Sequence, residues 1–169
     1  MRLSKDNLIK IFWIAVFGVS FGYLESAVVI YLRELYYPAG FNVSLELSFP
    51  YLHFGLIPSL QYIPLKLLLI EVGREASTIF ILISIAVIAG RNTLHRTGFF
   101  MLAFGIWDLS YYGFLKLVAN WPESLSTLDI LFLIPVPWIS PVWLPAMISV
   151  LFVFASIFLL REKTQLSDF

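Results

Sequence analysis

The sequence predicts an all-α membrane protein: a bundle of about four transmembrane helices with two long apolar extracytoplasmic loops. Three observations predict it. The chain of 169 residues is 60% hydrophobic and 17% aromatic but only 13% charged, whereas a soluble domain carries about 25% charged residues. Too few polar groups are present to cover a globular surface, so a bilayer is the natural solvent. Four apolar segments are long enough to cross it, since a hydrocarbon core roughly 30 Å thick takes about 20 helical residues. Lysine and arginine, finally, cluster at alternate connections. At this size the 169 residues form a single polytopic membrane domain.

The first predicted span covers Leu8–Leu32. Its apolar stretch is long, it carries Glu25 and no small-residue cleavage site follows, which argues against a cleavable signal peptide. The second covers Leu65–Ala89, the third Gly98–Ala119 and the fourth Val142–Leu160. Arg2, Lys5 and Lys10 lie at the start of the first helix. Arg91, His95 and Arg96 fill the short link between the second and third, and Arg161 and Lys163 follow the fourth. Arg33 and Lys66 only flank the connection between the first and second helices, and the connection from Asn120 to Pro141 holds no lysine or arginine. The bias predicts that both termini face the cytoplasm. The expected location is a prokaryotic cytoplasmic membrane.

The two connections assigned to the outside are the long ones, and such loops more often function or cover than idle. In the first, Ser44-Leu45-Glu46-Leu47-Ser48-Phe49 alternates polar and apolar, as an extended segment does. In the second, Ser126-Thr127-Leu128-Asp129 resembles a capping box. It would open a short helix from Asp129 to Ile134, stopped by Pro135 and Pro137 and too short to span. An interfacial or re-entrant segment is expected there. Trp121, Trp138 and Trp143 would form an aromatic belt at the outer boundary.

Away from their ends the spans contain six ionisable residues: Glu25, Glu71, Arg74, Glu75, Asp108 and Lys116. A charge near a helix centre costs roughly 2.5–3.5 kcal/mol on insertion scales, so most must face inward. At about 100° per residue, Glu71, Arg74, Glu75 and Thr78 share one helix face. Glu25 shares a face with Gly18 and Gly22, whose spacing permits close helix approach. Asp108 lies beside Tyr111 and Tyr112, which are phenol donors that could orient a polar group or relay protons.

These residues reach similar heights in the outer half and are expected to form one cavity. Four carboxylates against two cations leave an excess of two negative charges. Buried like charges cannot all ionise. Protonation, a bound cation, or Arg33 and Lys66 reaching in from the ends would compensate. A purely structural ion-pair network is the bland alternative.

Composition excludes several chemistries. The chain has no cysteine, hence no disulfide, thiolate metal site or cysteine nucleophile. Zero net charge argues against nucleic acid, which needs a basic stripe. No haem, iron–sulfur or dinucleotide motif is present. A metal held by carboxylates alone would be magnesium, calcium or manganese, and its ligands would come from Glu25, Glu71, Glu75 and Asp108. His53 and His95 fall on opposite sides of the membrane and cannot share a site. Gly18-Val19-Ser20-Phe21-Gly22 matches the serine-hydrolase pattern, but that motif needs a strand-to-helix turn. Inside a helix it reads as a packing motif. Asn42-Val43-Ser44 is a formal glycosylation triplet.

Three function classes follow, in order of preference. The first binds or moves a small ligand, cation or protons in the outer cavity. The second is a membrane enzyme acting on a lipid-linked or amphipathic substrate, with a carboxylate as acid or base and Arg74 on an anionic group. The third is an accessory or assembly subunit of a larger membrane complex. Membrane lipids are the expected surroundings, with other membrane subunits or a second copy of the chain as candidate partners.

Overall fold

A computed structural model describes residues 3–37, 63–134 and 137–161. The Ser44–Phe49 segment, the Asn42 triplet, His53, Pro135 and Lys163 lie outside the described residues. The described chain is mostly helical. Helix α1 spans Lys5–Tyr36, α2 Leu65–Ala89 and α3 Thr93–Ala119; strands β1 (Leu128–Phe132) and β2 (Trp138–Pro141) follow, then α4 (Trp143–Leu159). The first three helices are long and apolar enough to cross a membrane, while α4 is shorter at 17 residues.

Two of the helices, α1 and α3, carry side-chain caps at their N-termini. Ser4 accepts from the Asn7 N–H at the start of α1, and Asn92 accepts from the His95 N–H at the start of α3. Each satisfies a backbone donor that a first turn leaves orphaned. Asn120 ends α3 in the left-handed conformation at φ 52°, which asparagine tolerates.

Helix α3 is the hub, packing against α1, α4 and α2, whereas α1 and α2 have little direct backbone contact. Glycine sets the closest approaches. A Cβ on Gly22 would sit 2.7 Å from the Trp107 carbonyl oxygen and 2.9 Å from the Tyr111 nitrogen, and one on Gly105 would sit 2.6 Å from the Ser149 carbonyl oxygen. Gly18 meets Ile106 in the same α1–α3 seam, so the Gly18–Gly22 spacing serves packing, and Ser20 faces outward.

The helices alternate in direction. Asn7 near the start of α1 donates to the Leu160 carbonyl after α4, and Lys10 donates to the Ala89 carbonyl at the end of α2. Lys5, Lys10, Arg91, Arg96 and Arg161 therefore collect at one end of the bundle, here called basal. The apolar core lies toward that end, around Ile14, Leu82, Phe99, Leu102 and Ala103.

The segment expected as a short helix is instead a β-hairpin. β1 pairs antiparallel with β2 in the register Leu128↔Pro141, Asp129↔Ser140, Ile130↔Ile139 and Phe132↔Trp138, with an irregularity between Ile130 and Phe132. Six residues are too few for a helix to offset its nucleation cost, and a complementary strand is available a short loop away. The capping box also fails chemically, because Asp129 is bound by partners distant in sequence. The hairpin makes the fold helical with a small β element, not purely α.

Candidate functional site

A cavity of about 360 Å³ occupies the half of the bundle away from the basic end, beneath the hairpin. Its wall is largely apolar, built from such residues as Val29, Leu68, Phe104 and Ile148, but five carboxylates line it: Glu25, Glu71, Glu75, Asp108 and Asp129. Two guanidiniums, Arg33 and Arg74, line it as well. Both tyrosines singled out in the sequence, Tyr111 and Tyr112, are also in the wall.

Arg74 organises one side. One turn of α2 brings its Nε to Glu71 Oε2 at 2.8 Å, while its Nη1 donates across the gap to Glu25 Oε2 on α1. Thr78, one turn further along α2, donates to the other Glu25 oxygen at 2.8 Å. Glu25 is 7% exposed, and both of its oxygens are engaged. Because α1 and α2 barely touch through their backbones, this charged bridge joins them.

Asp129 organises a second group. Arg33 Nη2 donates to its Oδ1 at 3.2 Å and the Tyr112 hydroxyl to its Oδ2 at 3.0 Å. The Arg33 guanidinium lies 3.8 Å over the Trp121 ring, and Trp121 stacks on Tyr112. Burial pushes the Asp129 carboxyl above its usual range, opposed by the Arg33 charge and the Tyr112 hydroxyl.

Glu75 and Asp108 are different. Each is only 8% exposed, and each is held by a neutral donor. The Leu133 backbone N–H donates to Glu75 Oε2 at 2.7 Å, and the Ser149 hydroxyl donates to Asp108 Oδ2 at 2.7 Å. Among the described residues neither forms a salt bridge, and the second oxygen of each is without a hydrogen-bond donor. Glu75 thereby ties the hairpin to α2, and Asp108 ties α3 to α4. Trp107, 6% exposed, belongs to the same wall, and its Nε1 has no acceptor among the described residues. A buried donor left unmet costs about 1–3 kcal/mol.

Seven of the eight site residues expected from sequence thus line one cavity: Glu25, Glu71, Arg74, Glu75, Asp108, Tyr111 and Tyr112. Lys116 does not. It is exposed on α3, where its Nζ donates to the Pro122 carbonyl at 3.0 Å. The helical turn explains this: after Asp108 and Tyr112, the inward position falls to the fully buried Leu115, and Lys116 is rotated about 80° away from Asp108.

The proposed metal set is not assembled either. Among the described residues no three acidic or histidine side chains could hold a metal ion together. Arg74 occupies Glu25 and Glu71, while Glu75 and Asp108 are anchored on different elements.

Sequence reasoning missed Asp129 and Ser149. Asp129 carried a signal, as the one charge inside the apolar run Leu128–Ile134. Ser149 carried none beyond being a polar residue in an apolar helix. No protein-family model, curated protein or solved structure matches this chain.

Proposed function

We propose that this protein is an integral membrane protein that binds a small cationic ligand or protons in the carboxylate-lined cavity, or passes them across the bilayer. The carrying observation is that Glu75 and Asp108, both buried, face the cavity and form no salt bridge among the described residues, the nearby Arg74 being held by Glu25 and Glu71. Five carboxylates against two guanidiniums leave an excess of three negative charges if all ionise. In a low-dielectric site such an excess is relieved by a bound cation or by protons. The cavity volume falls within the roughly 300–1,000 Å³ usual for small-molecule sites.

In this reading α4 is the fourth span. At about 1.5 Å per residue its 17 residues measure roughly 26 Å, a little under the hydrocarbon thickness. The basic end of the bundle faces the cytoplasm by the positive-inside rule, which puts both termini there and the cavity in the extracytoplasmic half.

The test is thermal unfolding of purified protein with propylammonium, with inorganic cations and over a pH series, alongside proton flux in liposomes. Wild type is expected to gain stability with a cation, by about 2.7 kcal/mol at a hundred times Kd, or to conduct protons. The Glu75→Gln, Asp108→Asn double variant keeps both hydrogen-bond acceptors and should fold but lose the response. If wild type and variant respond alike to every cation and conduct protons alike, the proposal fails.

A further inference from the structure

We infer that the occupant is an amphiphile, a hydrocarbon chain ending in a protonated amine, with the amine at Glu75 and the chain leaving through an apolar groove between α2 and the hairpin. This rests on the cation-binding reading of the cavity and adds a tail to it.

The groove has a volume of about 390 Å³ and is walled by Ala76, Ile79 and Phe80 of α2 and by Phe132, Ile134 and Trp138 of the hairpin. Glu75 is the only ionisable residue in that wall among the described residues. Glu75, Phe132 and Trp138 line both the groove and the cavity, so the two spaces meet at a carboxylate that forms no salt bridge among the described residues. Phe80 and Trp138 are exposed, so the outer side of the groove opens to the hydrocarbon that surrounds a spanning helix.

The cavity's size and chemistry decide the class of cation. A bare metal ion needs several oxygen ligands at once, and no such group of three is assembled among the described residues. A volume of about 360 Å³ with a largely apolar wall suits an organic group. A tail gains little by leaving lipid for the groove, because lipid chains are equally apolar. Selectivity therefore falls on the head, through charge-assisted hydrogen bonds to Glu75.

The experiment uses full-length protein in nanodiscs of zwitterionic lipid and a dodecylamine probe with a mid-chain diazirine. Labelled peptides are mapped by mass spectrometry and normalised to lipid labelling. Labelling is expected on Ala76–Phe80 and around Phe132. It should fall at least tenfold for the dodecanol probe of equal length and for the Glu75→Gln variant, and excess propylammonium should suppress it. Ala76→Phe, which fills the groove from its lipid side, should stop labelling while propylammonium still stabilises the protein.

Equal groove labelling by amine and alcohol, or undiminished labelling of Glu75→Gln, overturns the inference. If propylammonium stabilises the wild type but the groove is not labelled, the amphiphile falls and the cavity reading stands. If propylammonium neither stabilises nor competes, the groove is not labelled, and neither an inorganic cation nor proton flux separates the wild type from the Glu75→Gln, Asp108→Asn variant, both fall.

Discussion

The two halves of this bundle treat charge in opposite ways. At the basal end the charges are at the surface and paired across short distances. Lys10 bridges to Asp6 at 3.2 Å, Arg91 pairs with Asp6 while both are about half exposed, and Arg96 donates to the Gly90 carbonyl at 3.3 Å. Directly beneath them the helices close on an apolar core. The distal half is hollow, and its carboxylates are buried around the hollow.

Exposed pairs are screened by water and contribute little to stability. Basic residues at a membrane boundary act mainly on orientation. Desolvated charges are costly to insert and costly to leave unmatched. The contrast sets exposed, paired charge at the basal end, on which the proposed orientation rests, against buried carboxylates at the distal end, on which the proposed site rests.

That contrast can be broken most severely at Arg74. Arg74→Met leaves Glu25 and Glu71 without their cation and α1 without its charged bridge to α2. Breaking one partner out of a buried pair typically costs about 3–5 kcal/mol. We predict a loss of that size in detergent unfolding, largely recovered when Glu25→Gln and Glu71→Gln are added. An Arg74→Met protein as stable as wild type would show that the bridge carries no load.

A smaller effect is expected in the α1–α3 seam. The Cβ of Gly22→Ala would meet backbone atoms that cannot rotate away, and overpacking of this kind costs about 1–3 kcal/mol. Unfolding should show that loss, and Gly73→Ala, where the added Cβ meets nothing, is the control. Equal stability of the two variants would refute the seam.

The smallest effect belongs to the basal end. Arg91→Ala should leave the unfolding temperature unchanged while weakening the charge bias on which the proposed orientation rests, which a topology reporter fused to the C-terminus would read. A pronounced drop in stability would erase the distinction between the two halves.

Much of the distal site was legible in the sequence because helix periodicity is local. Three charges in five residues inside an apolar run had to lie on one face, and Glu71, Arg74 and Glu75 do line one cavity. Glu25 and Asp108 were legible because a carboxylate among apolar helix residues must turn inward. Lys116 was expected at the site only as an ionisable residue within the third span, yet it lies far enough round the helix to reach water.

What sequence by itself determined was the set of long apolar helices, the face each polar residue occupies, and the glycine spacing that lets α1 and α3 meet. All of these follow from a residue's own helix and its neighbours within one or two turns. The tertiary structure decided what no local pattern encodes. It turned Leu128–Phe132 into a strand by supplying Trp138–Pro141 as its partner, and it brought Arg33 to Asp129 and Ser149 to Asp108. It hung the hairpin on Glu75 through the Leu133 N–H. Strand pairing and ion pairing join residues far apart in the chain, so they depend on which elements become neighbours. That same choice of neighbours gave Arg74 two carboxylates and, among the described residues, left Glu75 and Asp108 without a salt bridge.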